Sequence, residues 1–338
     1  MAPVEAGIRI VLGLLPVFSF LITLILLDGY KLVRPRWVVV LIAAGALAAV
    51  ASLNVNRAIL DHTAVGTDWL VRLVAPAVEE LFKGMVIVVL LVRRRIGFLV
   101  DAAIFGFAVG AGFALVENPS YFFALEDRSL AMWVVRGFGT AVMHGGVTAI
   151  FAMISKTLAD WHGCTRGWVY LPGFVVAWTL HSLFNHFFFS PYVSTVLILA
   201  VLPVFFITVF HLSERGTRDW LGVGFDTDAE LLEIIGQGRV SESRLGAYLD
   251  ELRERFPPTV VADMLCLLRL RAELSIRAKG VLLARQAGFT LPPDPEMDDR
   301  LAEIDYLERG IGPTGLLSLH PVRHMSDREI WQIHALAR

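Results

Sequence analysis

The sequence predicts an all-α protein: a polytopic membrane helix bundle of about seven spans, followed by a small cytoplasmic α-helical region. Three observations predict it. The 338 residues are 56% hydrophobic and their mean hydropathy is +0.62, too apolar for an ordinary soluble domain. The apolar residues fall in long runs up to residue 212, whereas 213–338 alternates charge and leucine like a soluble chain. Finally, lysine and arginine alternate between successive short loops, as the inside and outside of a membrane require.

A span needs about 20 apolar residues to cross the hydrocarbon core. The candidates are Ile8–Leu27, Trp37–Leu53, Trp69–Val92, Gly97–Phe123, Leu130–Ser155, Gly167–Phe189 and Pro191–Leu212. The first is too long in its apolar core for a signal peptide and lacks a small-x-small cleavage site, so it is expected to stay as a membrane helix. Basic residues gather in the first loop (Lys31, Arg34, Arg36), the third (Arg93, Arg94, Arg95), the fifth (Lys156, Arg166) and the opening of the tail (Arg215, Arg218). The second loop sets Arg57 against Asp61 and Asp68, the fourth sets Arg128 against Glu126 and Asp127, and the sixth is uncharged. This pattern predicts a multi-pass protein of the plasma membrane with its N-terminus outside and its C-terminal region cytoplasmic.

The net charge of −2 comes without a dense basic patch, which argues against a nucleic-acid partner. Cys164 and Cys266 are the two cysteines, too few and too far apart for a disulfide framework or a CxxC metal site.

Four spans carry polar outliers: Glu79, Glu80 and Lys83; Glu117 and Asn118; His144; and His181 with Asn185. Ionisable groups in a bilayer are costly and normally face a bundle interior. At about 1.5 Å per residue, Glu79 lies about ten residues and His144 about fourteen from the outer ends of their spans. Glu117 lies near an outer end and His181 past the middle of an outward-running helix, so all four groups converge on the middle-to-outer half of the membrane. Glu79 and Lys83 are i,i+4, as are His181 and Asn185, so each pair shares a helix face; Glu80 is turned about 100° away. Pro76 starts or kinks its helix. Gly106, Gly110 and Glu117 fall on one stripe, and small residues there let a neighbouring backbone come close.

Such a set suits hydrolysis. A buried carboxylate within hydrogen-bond reach of a water serves as general base, and a histidine with an asparagine one turn away supplies donors for an oxyanion. There is no GxSxG and no cysteine near the cluster. Structural alternatives stay open at this point: Glu79 with Lys83 as a buried ion pair, His144 as a packing histidine, His181 with Asn185 as interhelical polar glue, Glu117-Asn118 as a helix end before Pro119. Arg136 and Asp101 read as snorkelling or paired structural residues. A metal site from His144, His181, His186 and a glutamate is only weakly signalled, since no HExxH occurs.

The run VEELFKG, with Glu79, Glu80 and Lys83, resembles the EExxK motif of PrsW-type intramembrane proteases. GFALVENPSYF, MHGGVTAIFA and HSLFNHFF resemble that family's second, third and fourth motifs, in order, over approximately residues 65–190. The family lies near the wider clan of CAAX-prenyl endopeptidases and bacteriocin-immunity-type membrane proteins. The resemblance implies a glutamate-dependent intramembrane endopeptidase without a cofactor, zinc being the less favoured alternative. Its substrate would be a membrane-anchored protein, anti-sigma factors being the implied class. By motif, Glu79 is the candidate base, Glu80 its essential neighbour, His144 its partner, and His181 and Asn185 the oxyanion site; Glu117 orients or shares a proton, with Lys83 and Asn118 supporting. A proton- or ion-coupled transporter and a non-catalytic membrane scaffold are the competing functions.

The tail reads as helices at Asp226–Ile235, Ser243–Phe256 and Pro258 to about Gln286, a linker at Leu291–Pro295, then Glu296–Arg309 and Asp327–Ala337. Leu265, Leu268, Leu274 and Leu282 offer a core-facing stripe. His320 and His324 are expected to be surface or packing residues. The region reads as a regulatory or protein-binding module with a cytoplasmic partner.

Overall fold

The computed structural model describes residues 3–124, 133–186, 188–289, 291–292, 294–321 and 332. All regular structure among them is helical. The chain packs as two compact units, Met1–Ser213 and Glu214–Arg338.

The first unit runs α1 (Pro3–Leu26), α2 (Pro35–His62), α3 (Ala75–Val92), α4 (Leu99–Ala124), α5 (Val142–His162), α6 (Leu171–Asn185) and the start of α7 (Pro191–Gly236). A π-helical segment, Leu70–Val74, leads into α3, and another, Val135–Ala141, leads into α5; a 3-10 turn, Gly167–Tyr170, leads into α6. Four helical stretches are long and apolar enough to cross a membrane: Pro35–His62, Leu99–Ser120, Val135–His162 and Pro191–Gly236, with Gly13–Leu26 a shorter apolar one. The expected third and sixth spans are helical but differ from simple spans. α3 carries Glu79, Glu80 and Lys83 within 18 residues, and α6 is 15 residues long, short of the roughly 20 that an upright span needs.

α4 is the hub. It is apolar all round, and from Ala102 to Ala114 its side chains are buried, as a helix enclosed by neighbours must be. Close approach is built in by glycine. A Cβ on Gly110 would lie 2.2 Å from the His144 carbonyl oxygen, and one on Gly106 would lie 2.6 Å from the Ala149 Cα. The predicted glycine stripe therefore does bring a backbone close, and the backbone is that of α5 around His144. Pro119 does not end α4, which continues to Ala124. Glu126, Asp127, Arg128 and Leu130, expected in the fourth loop and at the start of the fifth span, lie outside the described residues.

The second unit holds the rest of α7, α8 (Arg244–Leu252), α9 (Pro258–Gln286) and α10 (Met297–Ser318). The expected helix Asp226–Ile235 is not separate. The charges after Leu212 end the apolar run without breaking helical hydrogen bonding, and α7 runs to Gly236. Ser243 caps α8 by accepting the Gly246 N–H at 3.1 Å. α10 extends past Arg309 but is interrupted at Gly312, whose φ of +72° only glycine adopts readily. Leu268, Leu274 and Leu282 are buried as expected, but Leu265 is half-buried because Met264 and Leu267 face the core in its place. His320 is exposed; His324 and, apart from Gln332, the expected helix Asp327–Ala337 lie outside the described residues.

Candidate active site

Four helices deliver the polar outliers to one place. α3 presents Glu79, Glu80 and Lys83, α4 presents Glu117, α5 presents His144 and α6 presents His181, all six buried. Lys83 Nζ donates to Glu80 Oε1 at 2.5 Å and to His144 Nδ1 at 3.1 Å. His144 Nε2 then donates to Glu117 Oε2 at 2.7 Å. On the other side, His181 Nδ1 donates to the same Glu80 Oε1 at 2.8 Å. The two imidazoles meet edge to face with centroids 4.9 Å apart, and the Phe113 ring underlies the Lys83 ammonium at 4.5 Å. One chain of contacts thus runs Glu117–His144–Lys83–Glu80–His181.

The partners set the tautomers. Lys83 can only donate, so His144 Nδ1 is an acceptor and its proton sits on Nε2, facing Glu117. The Glu80 carboxylate can only accept, so His181 carries a proton on Nδ1, and as a neutral imidazole it keeps an Nε2 lone pair. That lone pair faces Glu79, whose Oε2 lies 3.8 Å away, too far for a direct hydrogen bond. Glu79 Oε2 is buried and has no hydrogen-bond partner among the described residues. Among the described residues, Glu80 has Lys83, Glu117 has Arg136 at 3.7 Å and Glu79 has His181 at 3.8 Å as ion-pair contacts.

The two asparagines of the motifs are bound elsewhere. Asn185 Nδ2 donates to the Val71 carbonyl at 3.0 Å. Asn118 Nδ2 donates to the Gly13 carbonyl at 2.9 Å and the Arg136 carbonyl at 3.4 Å. Asn185 thus holds backbone of the first π-helical segment, and Asn118 holds that of α1 and, at longer range, of the second; neither joins the carboxylate–imidazole chain. Two α6 residues that sequence reasoning passed over do the same: Ser182 Oγ donates to the Arg72 carbonyl at 2.5 Å and Trp178 Nε1 to that of Leu73 at 2.9 Å. Their spacing of four and three residues from one another and from Asn185 was the available signal. Arg136 lies beside Glu117 and so belongs to the site's surroundings. Asp101 is buried and caps the start of α4, accepting the Gly97 and Phe98 N–H groups at 3.0 Å. His186 bonds the Ser182 carbonyl at 2.7 Å and stacks on Phe188, apart from the other two histidines.

A family model described as PrsW family intramembrane metalloprotease matches residues 34–211, more than half of the chain. The chain belongs to the PrsW family. No curated protein and no solved structure matches it. Family membership and the apolar helices make it a multi-pass membrane protein and a protease acting within the membrane. The matched stretch contains every residue of the cluster.

The family's description implies a metal, and one donor set is on hand: Glu79, His144 and His181 offer ligand atoms within 4.8 Å of one another. A catalytic zinc takes three protein ligands at about 2.0–2.2 Å. His144 has no nitrogen to give, because Lys83 occupies Nδ1 and Glu117 occupies Nε2. Lys83 also places a cation against the same ring. Two donors remain, and the residues as arranged do not fit a three-ligand metal centre.

Proposed function

We propose that this PrsW-family chain hydrolyses a peptide bond of a membrane-anchored protein, with Glu79 activating the attacking water. The observation that carries the reading is the buried Glu79 Oε2, without a hydrogen-bond partner among the described residues and 3.8 Å from the His181 Nε2 lone pair. Two acceptors side by side call for donors between them, and a water lying beside the pair supplies one proton to each. Its oxygen then keeps a lone pair for the substrate carbonyl carbon. As the new C–O bond forms, the water proton moves to Glu79; as the C–N bond breaks, Glu79 returns it to the leaving nitrogen. Glu80 and Lys83 act by holding His181 and His144 in orientation. Glu80 already accepts two hydrogen bonds, which makes Glu79 the better base of the adjacent pair.

The substrate side is supported by an apolar cleft of about 420 Å³ between α5, α6 and α7, lined by Met143, Val147, Leu180, Leu183 and Phe188 among others. It suits a membrane-embedded segment, and an anti-sigma factor is the substrate class we favour. The loop charges support an outside N-terminus and a site in the middle-to-outer half of the membrane. The C-terminal unit is assigned a regulatory, partner-binding role, supported by its own packed core.

The test is a comparison of protein termini in membrane fractions from cells producing the full chain or its Glu79→Gln variant. New termini within or beside spans should appear with the wild type and vanish with the variant. Identical termini for the wild type and for the Glu79, Glu80 and His181 variants would sink the proteolytic reading and favour transport or scaffolding.

A further inference from the structure

The segment before α3 has a backbone problem that α6 solves. In the π-helical stretch Leu70–Val74 the Ala75 N–H bonds the Leu70 carbonyl, a five-residue step. In that register the Val71 carbonyl faces position 76; in the ordinary four-residue register the Arg72 carbonyl does. Position 76 is proline and has no N–H for either. Carbonyls left without a donor inside a membrane cost several kilocalories per mole and are tolerated only where neighbouring helices satisfy them. Asn185 and Ser182 do so for Val71 and Arg72, at 3.0 and 2.5 Å, and Trp178 adds a bond to the Leu73 carbonyl at 2.9 Å.

These three donors lie along one side of α6 and step down the π segment in antiparallel order. His181 sits between the Trp178 and Ser182 rungs and is adjacent to Ser182. Height and rotation of α6 against α3 are the two quantities that place His181 Nδ1 on Glu80 and Nε2 opposite Glu79. Three rungs over about two turns fix both, as a single bond cannot.

We propose that Trp178, Ser182 and Asn185 are positioning residues: a ladder onto the Val71, Arg72 and Leu73 carbonyls, the first two freed by Pro76, that sets His181 against the Glu79-Glu80 pair. Asn185 accordingly acts through the backbone of Val71 and not on the substrate. The proposal rests on the proteolytic reading only for its activity readout.

The experiment uses the full chain and two measurements. Amide hydrogen exchange in detergent follows residues 70–80, and the rate of appearance of Glu79-dependent termini follows activity. Ser182→Ala, Trp178→Phe and Asn185→Ala should each speed exchange in that segment while leaving α4 and α5 protected. Each should slow cleavage by about tenfold, the worth of one hydrogen bond. Ser182→Thr, which keeps the hydroxyl donor, should restore at least about half of the wild-type rate and slow exchange again. Unchanged exchange in the three alanine and phenylalanine variants overturns the ladder, whatever happens to activity. So does a loss of about a hundredfold or more confined to Asn185→Ala, the size expected for an oxyanion donor. If no Glu79-dependent termini exist at all, the proteolytic reading fails, and the exchange result alone decides the ladder.

Discussion

Two lysines are buried to nearly the same degree in the two units, and their fates differ. Lys279 in the second unit donates to Asp228 at 2.7 Å and sits over the Trp220 ring at 5.2 Å. Lys83 in the first donates to Glu80 at 2.5 Å and sits over the Phe113 ring at 4.5 Å. Each has one carboxylate and one aromatic face. Lys83 differs in also touching His144, which continues to Glu117, while Glu80 continues to His181. A buried ion pair is weak evidence of function. The informative feature is that the Lys83 pair is a link in a chain and that the chain ends at His181, 3.8 Å from a Glu79 oxygen that has no hydrogen-bond partner among the described residues.

The comparison can be broken by substitution. Lys83→Met and Lys279→Met should each destabilise the full chain by about 3–5 kcal/mol, since either takes the lysine ammonium away from a buried carboxylate. Thermal melts read that loss. Per folded chain, Lys279→Met should keep cleaving and Lys83→Met should not. Replacing both members separates the roles further: Asp228→Leu with Lys279→Met should restore stability to within about 1–2 kcal/mol of wild type, or exceed it, and keep activity. Glu80→Leu with Lys83→Met should recover stability similarly while staying inactive, because His181 has lost its acceptor. Recovery of cleavage in that double variant would make the Lys83 pair as dispensable as the Lys279 pair.

Gly110→Ala addresses the packing that brings the chain together. Its Cβ would meet the His144 carbonyl at 2.2 Å, so α4 and α5 must part. We expect about 1–3 kcal/mol of destabilisation and slower cleavage as Glu117 draws away from His144. The smallest expected effect is that of chelation. Purified active chain should carry no stoichiometric zinc by elemental analysis and should keep its rate in a chelator. One zinc per chain, with activity lost on its removal, would mean that His144 releases Lys83 or Glu117 to bind it.

Much of the site was legible because membranes make it so. Glu79, Glu80, Lys83, Glu117, His144 and His181 stand out in apolar runs, and the Gly106–Gly110 stripe announced a close neighbour. The positions of Asn118 and Asn185 were not legible. Asn185 bonds a carbonyl of a π segment, which leaves no periodic mark in side chains, and Asn118 bonds the Gly13 carbonyl of α1, a partner 105 residues away in the chain. Pro76 was the visible clue, but a proline says only that a donor is missing, not which helix replaces it. Arg136, near a span end, gave no sign that it would lie beside Glu117. The length of α7 was hidden for another reason. Glu214, Arg215 and Arg218 end an apolar run, and helix formation does not require apolar side chains.

The central claim is that Glu79, and not its neighbour, is the base. Its most direct test is the rate at which Glu79→Gln and Glu80→Gln chains cleave one membrane-anchored reporter taken from the Glu79-dependent termini. Glu79→Gln should lose about 10²–10⁴-fold, the worth of a general base. Glu80→Gln, whose amide oxygen still accepts from Lys83 and His181, should remain measurably active. Cleavage by the Glu79→Gln chain, with none by the Glu80→Gln chain, would contradict the assignment.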